Sequence, residues 1–325
     1  MTIISESKEV KLMNAEQILG SKEKRYFAAG YKKISCELFD YRLAENKLTA
    51  SLRLDWEKNW SIKKGKVIVQ HLGSIDSSLV AIKVLELFLV VKYNLTVEEI
   101  ACCSIKRIDF RTQPCFQNHS QQHDVELTNV LSYYDNENLV VNEFDILVKN
   151  FRFFISLNLG RQFNLSHILQ DQNLPLGLNN STSYYNVGYK LTSVNIENVF
   201  LNLESRSITS NSILNHSDSV VKHGLGIGHQ WPLTFIEYLS IAGQLTQMLL
   251  YNLENVTREE SNNMWVRSLT ANFHPGSANQ SNEFFSMAQF TEFNSVKIKN
   301  ENWRTVTAKF EIGNINGFAK VCHII

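Results

Sequence analysis

The chain has 325 residues, with 32 basic and 32 acidic side chains, 44% hydrophobic residues, 19 Phe, 11 Tyr and 5 Trp. Single cores stop growing at ~250 to 300 residues, so two domains are expected, with apolar material enough for two cores. Balanced charge leaves no net field for nucleic acid or an anionic membrane surface, and no like-charge block occurs locally, so neither partner is expected.

The opening residues MTIISESKEVKLMNAEQ lack both the cationic start and the apolar run of a signal peptide, so a cytoplasmic protein is expected. Cys36, Cys102, Cys103, Cys115 and Cys322 are odd in number and form no CxxC pair, which points to reduced thiols rather than disulfides or a zinc site. Alternating residues predict strands over Lys33 to Leu43 and Lys47 to Trp56. A helix is predicted from about Ser74 to Tyr93. Its most apolar part, Leu79 to Val91, is interrupted by Lys83 and Glu86 and is too short for ~30 Å of hydrocarbon.

Further strands are predicted at Ala101 to Arg111, which includes Cys102 and Cys103, and at Val125 to Tyr134, Leu139 to Val148 and Arg152 to Leu159. His119 and His123 have the i, i+4 spacing of a helical metal pair, but their Gln/Asn-rich surroundings read as a solvated loop, and no metal site is expected. Gly160 to Val187, with Pro175, Gly177 and an Asn-Asn-Ser-Thr-Ser run, reads as a linker. Beyond it come a strand at Leu191 to Leu203 and a helix at about Leu233 to Leu253, behind Pro232. Strands around Trp265 to Phe273, Phe284 to Phe293, Thr305 to Ile312 and Gly317 to Ile325 complete the chain.

The two halves repeat one another. Gly30-Tyr31-Lys32-Lys33-Ile34-Ser35 returns as Gly188-Tyr189-Lys190-Leu191-Thr192-Ser193 at an offset of 158. His71 to Leu95 lies on Pro232 to Val256 at 161, and Cys102 to Arg111 on Trp265 to His274 at 163. Shared order and near-constant spacing indicate duplication. The expected layout is an N-terminal segment 1–29, a first domain 30–160, a linker 161–187 and a second domain 188–325. A 20-residue helix is ~30 Å long, and one apolar on most sides has to be surrounded. A curved antiparallel sheet around each helix achieves this. The expected class is therefore α+β, two tandem sheets each wrapped on one central helix: a double hot-dog fold.

Each predicted helix carries a polar stripe at i, i+7, i+10: Asp76, Lys83 and Glu86 in the first, Glu237, Gln244 and Gln247 in the second. Asp76 and Glu237 suit two roles, capping a helix N-terminus, or acting as raised-pKa acids or bases at the mouth of an apolar tunnel. His71-Leu-Gly-Ser-Ile-Asp76 puts an imidazole beside a carboxylate, a combination suited to proton transfer near neutral pH. His71, Asp76 and Glu237 are thus the catalytic candidates: His71 as base toward an acceptor hydroxyl, Asp76 orienting it, Glu237 handling protons in the second copy. Gly73, His229 and Gln244 are the substrate-binding candidates. The loop His223-Gly-Leu-Gly-Ile-Gly-His229 is a poor match to a phosphate-binding loop. It reads as a close-packed turn with amides able to face a carbonyl or thioester oxygen. Because the copies differ where chemistry would sit, His71 and Asp76 in one and Pro232 and Glu237 in the other, one composite site is expected rather than two equal ones.

Arg25-Tyr26-Phe27-Ala-Ala-Gly30-Tyr31-Lys32 together with His71-Leu-Gly-Ser-Ile-Asp76 resembles the bacterial avirulence protein D (AvrD) family. The resemblance implies an enzyme that joins a β-ketoacyl thioester to a ketose, toward syringolide-like acyl-sugar lactones. It supplies no catalytic residue. The expected reaction is acyl transfer or condensation onto a sugar-like hydroxyl, with dehydration, thioester hydrolysis or non-catalytic acyl binding as alternatives. Acyl-CoA or an acyl-carrier protein would bring the donor, no other cofactor is expected, and the protein would be a monomer or homodimer.

Overall fold

Twelve antiparallel strands hydrogen-bond into one sheet. The computed structural model describes residues 13–113, 122–134, 140–159, 183–217, 223–230, 233–274 and 281–325. In the first half, β1 (Ile34–Ala44) and β2 (Lys47–Trp56) form a hairpin, followed by a short ladder of β3 (Ile62–Lys63) and β4 (Lys66–Val67). Helix α2 (Ser74–Tyr93) comes next, then α3 (Val97–Cys102), β5 (Ser104–Thr112), β6 (Gln122–Tyr134), β7 (Val140–Val148) and β8 (Phe151–Asn158). A five-residue helix, α1 (Ala15–Leu19), precedes all of these. The second half runs β9 (Thr192–Asn202), β10 (Ser207–His216), α4 (Ile227–Gln230), α5 (Phe235–Glu254), β11 (Met264–Phe273), β12 (Glu283–Ile298), β13 (Glu301–Ile312) and β14 (Ile315–Ile324).

The strand order β1-β2-β6-β7-β8-β5-β11-β14-β13-β12-β10-β9 reads the same from both ends once the halves are equated. The symmetry closes at the central pair, where Ile108 of β5 faces Ala271 of β11, its own counterpart at offset 163, and Asp109 faces Thr270 while Arg107 faces Asn272. Thr270 donates its hydroxyl to Asp109 there. The two copies thus share one continuous sheet rather than two separate ones.

Each long helix lies against the inner face of its own half. Sixteen of the twenty residues of α2 and sixteen of the twenty of α5 are buried, as helices apolar on most sides require. The strands alternate accordingly: Leu48, Ala50, Leu52 and Leu54 of β2 are buried and their neighbours are not. Both helices end in a left-handed asparagine, Asn94 at φ 54° and Asn255 at φ 52°, the residue type besides glycine that tolerates this conformation best. Among the described residues no helix is long and apolar enough to cross a membrane.

Several expected elements need correction. Cys102 and Cys103 are not in a strand: Cys102 ends α3 and Cys103 caps it, buried, its thiol donating to the Glu99 carbonyl. The capping box of Thr96 and Glu99 nucleates that short helix. His123 lies in β6, not in a loop; His119 and Cys115 fall outside the described residues. β10 lies outside the expected strands because Ser207 to His216 shows no apolar alternation: of its buried positions Ile208, Ser210, Ser212 and Leu214, two are serines.

Candidate functional site

The N-termini of α2 and α5 carry the first polar cluster. Asp76, at the third position of α2, accepts from the Gly73 amide at 3.1 Å and from the Tyr26 hydroxyl at 3.0 Å, and the same hydroxyl accepts from the Ile75 amide at 3.0 Å. In α5, Glu237 accepts from the Thr234 amide at 3.2 Å, the Thr234 hydroxyl and the Tyr184 hydroxyl at 2.5 Å, while Thr234 Oγ1 accepts from the Ile236 amide. Tyr26 and Tyr184 are themselves repeats at offset 158, so the shared motif is Tyr-x-x-x-Gly-Tyr-Lys, four residues longer than GYK alone. In the first copy the Tyr26 hydroxyl occupies the place of the Thr234 hydroxyl. Gly73 permits this, since a Cβ there would stand 2.1 Å from the Tyr26 oxygen.

Both carboxyls are sealed from solvent and from the cavities described below. Burial pushes the Asp76 carboxyl up to about 7, against the Gly73 amide and the Tyr26 hydroxyl, which pull it down; burial likewise raises Glu237. These are buried capping boxes. Tyr26→Phe is expected to cost about 1–3 kcal/mol, because it strips both the Ile75 amide and Asp76 of a partner. Tyr184→Phe should cost less, since Thr234 still serves both the Ile236 amide and Glu237. Urea midpoints of the two variants test that order.

His71 does not meet Asp76. Its Nδ1 lies 2.8 Å from the Val69 carbonyl, so that nitrogen carries the proton, and its ring packs on Trp60 and Trp265 with centroids 5.4 and 5.6 Å away. Burial holds the ring below the usual histidine range. Gln244 is also committed to structure: it accepts from Arg25 at 2.7 Å and donates to the Phe27 carbonyl at 3.2 Å. His229 falls in α4, and its side chain lies outside what the structure describes.

The open cavity lies elsewhere, between the halves. It has a volume of about 330 Å³ and is walled by β1, the middle of α2, α3, and two loops of the second half, Ser183 to Asn186 and His223 to Gly224. Leu38, Tyr41, Leu87, Val90, Val97 and Ile100 make one part of its lining apolar; Lys83, Glu86, Ser183, Asn186 and His223 make the other polar. Glu86 accepts from the Leu225 amide at 2.7 Å and from the Ser183 hydroxyl at 3.3 Å. Burial pushes its carboxyl up to about 7; the Leu225 amide, the Ser183 hydroxyl and the Lys83 charge oppose that rise. Lys83, one turn earlier, donates to the Cys36 carbonyl at 3.2 Å.

Three amides of the glycine-rich loop, those of Leu225, Gly226 and Ile227, are already taken by partners within the protein. The Leu225 amide goes to Glu86 and the Gly226 amide to the Ile100 carbonyl. Gly224, at φ 148°, is what lets Glu86 approach, since a Cβ there would stand 3.2 Å from its Oε1. Gly224→Ala is expected to cost about 1–3 kcal/mol of backbone strain and to move Glu86 off the Leu225 amide; thermal unfolding measures the first effect and the carboxyl titration of Glu86 by NMR the second.

The second copy has a much smaller counterpart. A cavity of about 60 Å³ is lined by Gln247 and Arg258, which stand at the positions of Glu86 and Val97 at offset 161, and by His71, Lys63, Trp60 and Trp265. The Phe27 ring fills the adjoining space against Gly243, where a Cβ would come within 2.5 Å of it. The loops cross over symmetrically, Arg25 reaching Gln244 of α5 and Ser183 reaching Glu86 of α2. Sequence reasoning placed Lys83 and Glu86 on the polar stripe but not in the site. The available signal was the exchange of a charged pair, Lys83 and Glu86, for two amides, Gln244 and Gln247. Among the described residues no group of three or more His, Cys, Asp or Glu side chains is placed to hold a metal ion.

Among the described residues, the fold is that of a tandem-repeat α+β protein with an open cavity between its copies and a much smaller one at the corresponding place in the second copy. Residues 11–325 match the model of the family described as Pseudomonas avirulence D protein (AvrD), and the chain belongs to that family. A search of curated proteins returns no match. Among solved structures, a conserved protein of unknown function with hot dog fold from Alicyclobacillus acidocaldarius is 6% identical, with 92% of this chain and 97% of that one covered and a TM-score of 0.43. An acyl-CoA thioesterase II, TesB2, from Mycobacterium marinum is 9% identical over 91% of this chain and 96% of its own, at a TM-score of 0.39. A trans-AT PKS dehydratase domain from Brevibacillus brevis is 11% identical over 89% and 97%, at 0.37.

Proposed function

We propose that the chain is a double hot-dog enzyme acting on an acyl thioester, with Glu86 as its base. The observation that carries this reading is a carboxyl with a pKa raised to about 7, facing an amphipathic cavity formed by both copies. A perturbed acid lining a pocket with apolar and polar sides is a common mark of a reaction site. The apolar part of the lining takes the acyl chain, and the polar part takes the thioester and the acceptor. His223, exposed at the second-half loop, marks the side from which the arm of coenzyme A or a carrier protein enters.

In the transfer reaction, carboxylate Glu86 takes the proton of an acceptor hydroxyl. The oxygen adds to the thioester carbonyl, the tetrahedral intermediate collapses, and the departing thiolate recovers the proton from Glu86. The Leu225 amide and Ser183 hydroxyl fix the carboxylate in place throughout. A β-ketoacyl donor and a ketose acceptor, leading to a syringolide-like product, follow from the family resemblance. A cytoplasmic setting is part of the same proposal.

The test is to incubate the purified protein with a β-ketoacyl-CoA, with and without a ketose, and to follow thiol release and product mass. Acceptor-dependent release with the mass of an acyl sugar supports transfer. Acceptor-independent release of free acid would make the protein a thioesterase, water loss from a 3-hydroxyacyl thioester a dehydratase, and saturable binding without turnover an acyl-binding protein; each of these would sink the transfer reading.

A further inference from the structure

We propose that Lys83 is a nucleophilic amine that forms an imine with a ketone carbonyl of the molecule held in the open cavity. The inference rests on reading that cavity as the substrate site and adds to it a covalent step at a named side chain.

Lys83 projects from α2 into the cavity lining, three residues before Glu86 and so on the same helical face. Its three-donor ammonium has one hydrogen-bond acceptor, the Cys36 carbonyl, and among the described residues it forms no ion pair within 4 Å. A half-buried ammonium with no ion pair within 4 Å is less well solvated than an exposed one, and that cost falls when the group is a neutral amine. Burial holds the Lys83 pKa below the usual lysine range and Lys190 adds to this, while Cys36 and Glu86 act the other way. Desolvated lysines of this kind are the ones that attack carbonyls.

The second copy supplies the internal comparison. At offset 161 the same helical position is Gln244, an amide pinned by Arg25 and the Phe27 carbonyl where the space is filled. In the second copy the position holds a structural amide that lines neither cavity, and in the first it holds an amine in the wall of the larger one. Cys36 does not compete as the nucleophile, because burial pushes its thiol up to about 12.

The step balances without an outside reagent. The Nζ lone pair adds to the carbonyl carbon and the C=O π electrons move to oxygen. Nζ passes its surplus proton through Glu86 to the alkoxide, giving the neutral carbinolamine. Protonated Glu86 then donates a second proton to that hydroxyl, which leaves as water while the nitrogen lone pair forms the C=N bond. The N–H proton of the resulting protonated imine returns to Glu86. Ketone and amine become imine and water, and Glu86 returns to its starting state. While protonated, the imine acidifies the neighbouring carbon for condensation.

The probe is a simple 1,3-diketone, which has the carbonyls but no thioester to lose. With a neutral amine it gives a conjugated enaminone that absorbs in the near ultraviolet. The full-length protein is expected to develop that band and to gain one probe less one water by intact mass, with the label on Lys83 in peptide maps. Lys83→Arg and Lys83→Ala should abolish the band while circular dichroism shows the fold retained, and Glu86→Gln should slow its appearance at least tenfold. No adduct on the folded wild type, or an adduct that persists in Lys83→Arg, overturns the proposal. The two readings fail separately: thioester turnover without an adduct removes the imine and leaves acyl transfer standing, and an adduct without turnover does the reverse.

Discussion

Glu86→Gln is expected to lower acyl-thioester turnover by ~10² to 10⁴, the range lost when a positioned general base is removed. The substitution is mild for the fold, because the second copy already carries glutamine, Gln247, at this position of its helix. The carbonyl oxygen of the substituted amide can still accept from the Leu225 N–H, so the loop from His223 to Leu225 stays latched. Lost turnover with an unchanged unfolding midpoint therefore reads out the carboxylate itself. The pH profile adds a second criterion. With its carboxyl raised to about 7, Glu86 is in the active, ionised form only toward and above neutrality, so wild-type turnover should climb through pH 7. A Glu86→Gln enzyme with turnover within threefold of wild type, or a wild-type profile flat from pH 6 to pH 8, would remove Glu86 from the mechanism.

The sequence made the duplication legible because it leaves marks that do not depend on packing: GYK at 158, the helices at 161, the Asp109 and Asn272 strands at 163. Helix α2 begins and ends at the predicted residues, since Gly73 and Asp76 at one end and Asn94 at the other are strong local signals. The site was legible only in outline. Asp76 and Glu237 were open to a capping or a catalytic reading, and only the positions of Tyr26 and Tyr184, some fifty residues upstream, show what fills their coordination. The pairing of His71 with Asp76 was argued from nearness in sequence, but the Tyr26 hydroxyl occupies the carboxylate and the tryptophans take the imidazole. Glu86 was misjudged for the opposite reason. Its partners, Ser183 and Leu225, come from the other copy, 97 and 139 residues away, and no pattern within one helix announces them. The expectation of one composite site rested on His71 and Asp76 against Pro232 and Glu237; the asymmetry at the cavity is instead Lys83 and Glu86 against Gln244 and Gln247.

Glu237→Ala is expected to destabilise the protein by about 3–5 kcal/mol, as removal of one member of a fully buried polar cluster does. The truncation leaves the Tyr184 hydroxyl, the Thr234 hydroxyl and the Thr234 amide without their common acceptor, in a region that water does not enter. Against a typical stability of ~5–15 kcal/mol this is a large fraction. Glu237→Gln keeps one acceptor oxygen and should lose less than half as much; equal midpoints for Glu237→Ala and wild type in urea would show the cluster to be dispensable. The same burial gives stability an unusual pH slope. Asp76 has a folded pKa of about 7 against a reference of 3.8, so between these values the folded state holds the proton more tightly than the unfolded chain. Its contribution is fully present below about pH 4 and is lost as pH rises through 7, and Glu237, also raised, acts in the same direction. The urea midpoint should accordingly fall from pH 5 to pH 8, and Asp76→Asn, which cannot titrate, should flatten that fall. The direction is opposite to that set by salt-bridged carboxylates, so a wild-type protein whose midpoint rises across this range to the same extent as Asp76→Asn would show that Asp76 is ionised and solvated in the folded state. The two carboxyls that look most catalytic in the sequence then emerge as the ones that hold α2 and α5 to the turns preceding β1 and β9, and the walls of the Glu86 cavity depend on that hold.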